Sequence, residues 1–289
     1  MSQTLTLLLL LTHYFCGIYA LLGSNSKTTD FTITRLCHSM ACDDNMHAKY
    51  NELAQFAVKK VEQLKDDDQQ WWCAITGGPG AGKSTLAAAV SRLCNDVYGI
   101  SATVIPMDGY HYSKETLRFL DPPDAADFFP RRGSPHTFDA ELFVTELSTA
   151  RELKTASLPV YSRELSDPVP DGVHLKPTDR VVFVEGNYLL LGQGGMVPGY
   201  VTESEAERWR PLLKLFDATW FVTPKEGIPE QRRRLIGRHL ETWTDTKTKM
   251  YRASSPEEGA AKRTDSNDVL NAHVVETCKE FASLVIESI

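Results

Sequence analysis

An α/β fold with a mostly parallel sheet is predicted by three observations. From Trp71 on, short apolar runs alternate with longer helical patterns, the signature of βα units. The first run leads into Gly77-Gly78-Pro79-Gly80-Ala81-Gly82-Lys83-Ser84-Thr85, which satisfies G-x-x-x-x-G-K-[ST]. A later run, Val181-Val182-Phe183-Val184, ends in the acid Glu185. With 289 residues the chain can bury one substantial core, and one main domain is expected because no Gly/Ser/Pro-rich linker interrupts it after Trp71.

Strands are expected at 71–76, 102–107, 181–185 and 218–223. The first helix starts within the glycine loop and runs through Leu86, Val90 and Leu93. Others are expected at 139–154, at 229–243 with Pro229 placed for a helix start, and from Asn267 to the C-terminus. The segment 159–168 (PVYSRELSDP) reads as a loop with a mixed aromatic and charged lining. Ahead of the first strand, Leu53, Phe56, Ala57, Val61 and Leu64 recur at helical spacing between His47 and Lys65, an amphipathic helix.

The N-terminus is ambiguous. Residues 5–22 form a leucine-rich run like a signal-peptide core or a short anchor, yet no Lys or Arg precedes it and His13 interrupts it. A start of translation at Met40 is a third reading. The organisation expected is a leader at 1–39 outside the fold, the amphipathic helix at 40–70 and the main domain at 71–289. The six cysteines show no CxxC or metal-ligand spacing, which fits reduced thiols in a cytoplasmic protein; a tethered or secreted one rests on 5–22 alone. A net charge of −7 argues against a general nucleic-acid or anionic-membrane surface, so local arginine clusters need a local explanation. A monomer and a homodimer both stay open.

The glycine loop has a chemical reading. Glycines let the backbone wrap a phosphate, and the following helix presents free N–H groups and its positive end to the anion. Lys83 supplies charge to the β/γ-phosphates and the Ser84 hydroxyl is placed for Mg²⁺. Asp108, in Met107-Asp108-Gly109-Tyr110-His111-Tyr112, ends the second strand, where it either acts on a hydroxyl or caps the next turn. Glu185 either holds Mg²⁺ through water or is a solvated strand end. Arg131 and Arg132, in RRGSPHTFD, suit phosphate or carboxylate recognition, or are solvated surface. Arg234 and Arg238 lie one helical turn apart, on a face that either closes over a phosphoryl group or pairs with the acidic remainder.

The ordered set GGPGAGKST, MDGYHY, RRGSPHTFD, PVYSRELSDPVP, VVFVEGNYLL, RRLIGRHL and TDSNDVLN resembles the phosphoribulokinase, uridine kinase and bacterial-type pantothenate kinase group of P-loop kinases, over residues 71–273. The resemblance implies a three-layer P-loop NTPase sandwich with a small helical lid. It further implies ATP-dependent phosphoryl transfer to a hydroxyl of a nucleoside, sugar or vitamin-like acceptor, with ATP and Mg²⁺. Under it Asp108 and Lys83 are catalytic with the lid arginines Arg234 and Arg238, and Glu185 is the Walker B acid. His111, Tyr112, Arg131, Arg132, His136, Tyr161 and Arg163 fall on the substrate side, and Asn267 near the adenine end. RRGSPHTFD matches the pantothenate kinase segment only in outline, so no substrate carries over. A regulatory or chaperone-like ATPase with water as acceptor is the alternative; a GTP switch is disfavoured because no N-K-x-D occurs.

Overall fold

Burial on both faces explains the central strands of the sheet. The run Trp71–Thr76 forms β1, and Ala102–Pro106 forms β2. An antiparallel ribbon follows, made of β3 (Ala156–Ser162) and β4 (Asp167–Leu175). The sheet is completed by β5 (Val181–Gly186), β6 (Ala218–Pro224) and β7 (Leu284–Ser288), all parallel, in the order β2-β5-β1-β6-β7. The computed structural model describes residues 27–120, 131–198 and 200–289, with side chains from Asn45 on. Its two units are Met1–Asn45 and Met46–Ile289, and the sheet lies in the second.

Period-2 side-chain direction sends Trp72, Ala74, Val182 and Val184 to one face and Trp71, Cys73, Ile75, Val181 and Phe183 to the other. Both faces are covered, so the strands read as continuous apolar runs rather than alternating ones. The first face packs on Phe143 and Leu147 of α4 (Ala140–Leu153), on Trp209 of α5 (Glu203–Trp209) and on Val274. The second packs on Leu86, Val90 and Cys94 of α2 (Lys83–Asp96) and on Leu53, Ala57 and Val61 of α1 (Lys27–Glu62). This is the expected three-layer α/β sandwich. The helix over 47–65 is present, but it begins at Lys27, ahead of Met40, and ends at Glu62. Residues 5–22 lie outside the described residues. No described helix is long and apolar enough to cross a membrane.

The four expected strands are found with ends displaced by at most one residue. Asp139 caps α4 by accepting from Leu142 N, and Pro229 sits in the first turn of α6 (Ile228–Glu241). After α6 come α7 (Asp245–Met250), α8 (Pro256–Arg263), a π turn at Thr264–Asp268 and α9 (Val269–Glu276). A short helix, α3 (Lys114–Leu120), follows β2.

Two expectations need correction. The final helix does not run to the C-terminus: it stops at Glu276, and Leu284–Ser288 pairs with β6 from Trp220↔Leu284 to Pro224↔Ser288. Ser283 turns the chain, its hydroxyl donating to Thr219 O (2.7 Å), and the β-branched Val285 and Ile286 favour the strand that follows. The segment 159–168 is not a loop. It is the end of β3, the start of β4 and the turn at 163–166 that joins them, and the ribbon's prolines at 159, 168 and 170 are tolerated because a two-stranded ribbon has only edges.

Candidate active site

β1 delivers the chain into the glycine loop, and Gly82 starts α2 as its N-cap with φ 96°, without a side-chain cap. The first N–H groups of α2 therefore face the loop, a ready anion site. Lys83 is buried; its Nζ donates to Gly78 O (3.1 Å) and Asn187 Oδ1 (2.7 Å). Thr76 Oγ1 fixes Asn187 in turn, donating to its carbonyl (3.0 Å). Burial lowers the Lys83 pKa, with repulsion from Arg238 acting the same way and the charges of Glu185 and Asp108 opposing. Ser84 and Thr85 are exposed at the start of α2.

The acids come from adjacent strand ends. In the parallel registers Glu185 lies opposite both Ile75 of β1 and Pro106 of β2. Gly186 makes that junction close: a Cβ there would stand 2.5 Å from Met107 Cβ. Asp108, in the turn Met107–Tyr110, is exposed beyond it. Ser84 Oγ donates to Glu185 Oε1 (3.1 Å). Burial raises the Glu185 pKa and the charge of Asp108 raises it further, while Lys83, Ser84 and Arg163 oppose. One hydroxyl and one buried carboxylate, both hard oxygen donors, fit Mg²⁺, which keeps waters and phosphate oxygens as its other ligands.

Beside Asp108, His111 Nδ1 lies 2.8 Å from Asp108 O, and its ring packs on Phe138 (3.9 Å) and Tyr161 (5.0 Å between centroids). Burial lowers the His111 pKa and raises that of Tyr161. The arginine pair of RRGSP divides. Arg132 is a strap: it donates to Asp167 Oδ1 (2.5 Å), Ser166 O (2.5 Å) and Tyr112 O (2.9 Å), tying the ribbon to the turn after β2. Arg131 stacks on Tyr200, 4.3 Å from the ring centroid, and its Nε and Nη2 have no described partner. His136 lies with that group, its ring 3.0 Å from Ser134 Oγ and 3.9 Å from Glu205; burial and then Arg131 press its pKa down to about 4. Tyr112 OH meets Arg208 Nη2 at 3.4 Å.

On the opposite side, Arg234 Nε donates to Glu230 (2.8 Å) and its Nη1 to Ser288 Oγ (3.1 Å). Arg238 is exposed, with no hydrogen bond or ion pair to a described residue. His239 Nε2 meets Asp268 Oδ2 at 2.7 Å, joining α6 to the π turn. Asn267 is fully buried there and its Nδ2 donates to Arg132 O (3.0 Å). The residue expected near the adenine end thus has its amide nitrogen turned to the RRGSP backbone.

These parts enclose one cleft of about 400 Å³. Pro79, Asp108, Asn187 and Arg238 line it, as do His111, Phe138, Tyr161, Arg163 and Arg132, with His239, Arg263 and Asp268 on the far wall. Arg131, Tyr112 and His136 are not among its lining residues. Sequence reasoning missed Asn187, which follows Glu185-Gly186 in plain view, and Asp167 and Asp268, whose partners are distant in the chain.

No protein-family model matches the chain. It is 31% identical over 245 residues to "Putative uridine kinase C227.14" of Schizosaccharomyces pombe, covering 84% of this chain and 92% of that one. The chain belongs to the uridine kinase-like P-loop kinases. Membership makes it an ATP-dependent small-molecule kinase. A second relative of this kinase, "ATP-dependent kinase YFH7" of Zygosaccharomyces rouxii, is 26% identical over 292 residues, covering 88% of this chain and 69% of that one. Among solved structures, a "putative fructose transport system kinase" from Silicibacter superposes with a TM-score of 0.64 at 25% identity, covering 82% of this chain and 98% of that one.

Proposed function

We propose that this kinase transfers the γ-phosphoryl group of MgATP to a hydroxyl of a small acceptor that carries an anionic group or several hydroxyls. The observation that carries the reading is the cleft itself. Exposed Asp108 shares it with Pro79 of the glycine loop and with Arg238, and beyond them stand His111, Tyr161 and Arg163.

In this reading the α2 N-terminus and Lys83 hold the ATP phosphates, Ser84 and Glu185 hold Mg²⁺, and Asp108 accepts the proton of the attacking hydroxyl. The ion, when bound, neutralises charge on the phosphates. Lys83 adds positive charge where the transferring oxygens gather, and exposed Arg238, with no partner among the described residues, approaches them from α6. Arg234 is engaged by Glu230 and Ser288, so its part is to fix α6 against the end of β7. His111 and Tyr161 give the acceptor an aromatic wall, and Arg163 an exposed cation. Arg132 supports that wall through Asp167 and Ser166 without offering its own hydrogen bonds.

The test is incubation of the purified chain with MgATP and a panel of nucleosides, sugars, hydroxy acids and vitamins, with the phosphorylated product detected by mass. ATP turnover that no acceptor stimulates, with phosphate as the only product, would replace this reading with an ATPase.

A further inference from the structure

The glycine loop rests on a buried amide that has no partner among the described residues. Gln231, in the first turn of α6, is 1% exposed, and neither its Nε2 nor its Oε1 makes a hydrogen bond to a described residue. The amide is pressed against Gly78: a Cβ on that glycine would lie 2.3 Å from Gln231 Oε1 and 3.3 Å from Ala272 Cα, so only glycine admits the contact. One turn further, Leu235 meets Gly80 in the same way, at 3.0 Å from the position of its missing Cβ. One face of α6 therefore lies directly on the loop, and the same helix carries Arg234 and Arg238.

A buried amide with neither donor nor acceptor satisfied is costly, and native proteins keep such groups where another state supplies the partner. The partner is visible on the other side of Gly78. Its carbonyl accepts from Lys83 Nζ, whose other hydrogen bond goes to Asn187. A lysine that turns to phosphate oxygens gives up both, and the buried Gly78 carbonyl, which also accepts from Ala81 N (3.1 Å), is then left with one of its two donors.

We propose that Gln231 is a positioning residue for the glycine loop. Its amide, whose Oε1 lies nearest Gly78, rotates to present Nε2 as donor to the Gly78 carbonyl when Lys83 turns to the phosphates of ATP. Nucleotide binding and the seating of α6 on the loop are then one event, and the seating sets the place of Arg238 over the cleft. No bond is made or broken covalently; one hydrogen-bond donor replaces another. The proposal rests on the reading of the loop as the ATP phosphate site.

The test compares Gln231→Leu and the unbranched Gln231→Met with the wild-type full chain and with Lys83→Ala. The readouts are the melting temperature without ligand and the MgADP Kd by calorimetry. Both Gln231 variants replace unpaired polar atoms with apolar ones of similar volume, so the ligand-free melting temperature should hold or rise. The Kd should rise about tenfold, the worth of one net hydrogen bond. A merely structural glutamine would give the opposite pair, a lower melting temperature and an unchanged Kd. Wild-type Kd in both variants, with binding lost in Lys83→Ala, overturns the role of Gln231 alone. Wild-type Kd in Lys83→Ala overturns the phosphate-site reading on which it rests.

Discussion

Lys83 Nζ donates to Asn187 Oδ1 at 2.7 Å, which ties the lysine of the glycine loop to the residue two positions beyond Glu185. The loop at the end of β1 and the acid at the end of β5 are thus one unit. Lys83→Met keeps the stem and removes the ammonium. Transfer should fall by roughly 10²-fold or more, since a preorganised charge in a water-poor site stabilises the transition state strongly. The melting temperature should change little, because the lost hydrogen bonds are offset by relief of a buried charge that burial already disfavours. Steady-state kinetics and calorimetry check both halves.

Arg132 and Arg163 line the same cleft and should behave differently. Arg132 makes three hydrogen bonds across the ribbon and the turn after β2, and its pair with Asp167 is largely shielded from solvent. Arg132→Ala should therefore cost about 2–4 kcal/mol of stability, near the range for breaking a buried pair. Arg163 is exposed. Arg163→Ala should leave stability within about 0.5 kcal/mol, as for ordinary surface changes, while raising the acceptor KM more than the ATP KM. Denaturant melts and a KM comparison for each variant decide the matter.

The burial of Asn267 predicts a structural phenotype. Asn267→Ala leaves the Arg132 carbonyl without its donor inside the protein, which should cost about 1–3 kcal/mol of stability. MgATP affinity should stay within about twofold, well under the tenfold that one hydrogen bond is worth. A large loss of ATP affinity with normal stability would return Asn267 to the nucleotide site.

His136 predicts an acid limb in stability. Its pKa falls from 6.5 to about 4 on folding, from burial and then from Arg131. The unfolded chain therefore binds more protons between those values, and stability contributed by the neutral ring is present above pH 6.5 and lost as pH falls toward 4. The loss should reach roughly 3 kcal/mol over that window at about 1.4 kcal/mol per pH unit. His136→Gln should flatten the slope in urea melts run from pH 7 to pH 4.

Much of this architecture is readable from local pattern. The strand runs at β1, β2, β5 and β6 are apolar throughout because helices cover both faces of the sheet, and the glycine loop and the cap at Asp139 carry their own local chemistry. What escapes a reading of the sequence depends on contacts distant in the chain. β7 reads as a helix end because Leu284–Ser288 is short and becomes a strand only by pairing with β6. The prolines of the ribbon disguise it as a loop. The burial of Asn267 is not legible in its motif because a π turn shifts the side chains after Arg263 relative to an α-helix. Arg131 and Arg132 look equivalent in sequence, yet only Arg132 has Asp167 opposite it.

Asp108 carries the proposed transfer most directly: it is exposed in the cleft at the end of β2 and close enough to Glu185 for its charge to raise that residue's pKa. Asp108→Asn keeps the shape and removes the proton acceptor. Measured with an acceptor identified from the panel, kcat should fall about 10²- to 10⁴-fold. ATP affinity and the Mg²⁺ concentration needed for half-maximal rate should stay near those of the wild type. A greatly raised Mg²⁺ requirement would make Asp108 a metal ligand instead, and a near-normal kcat would contradict its role in the transfer altogether.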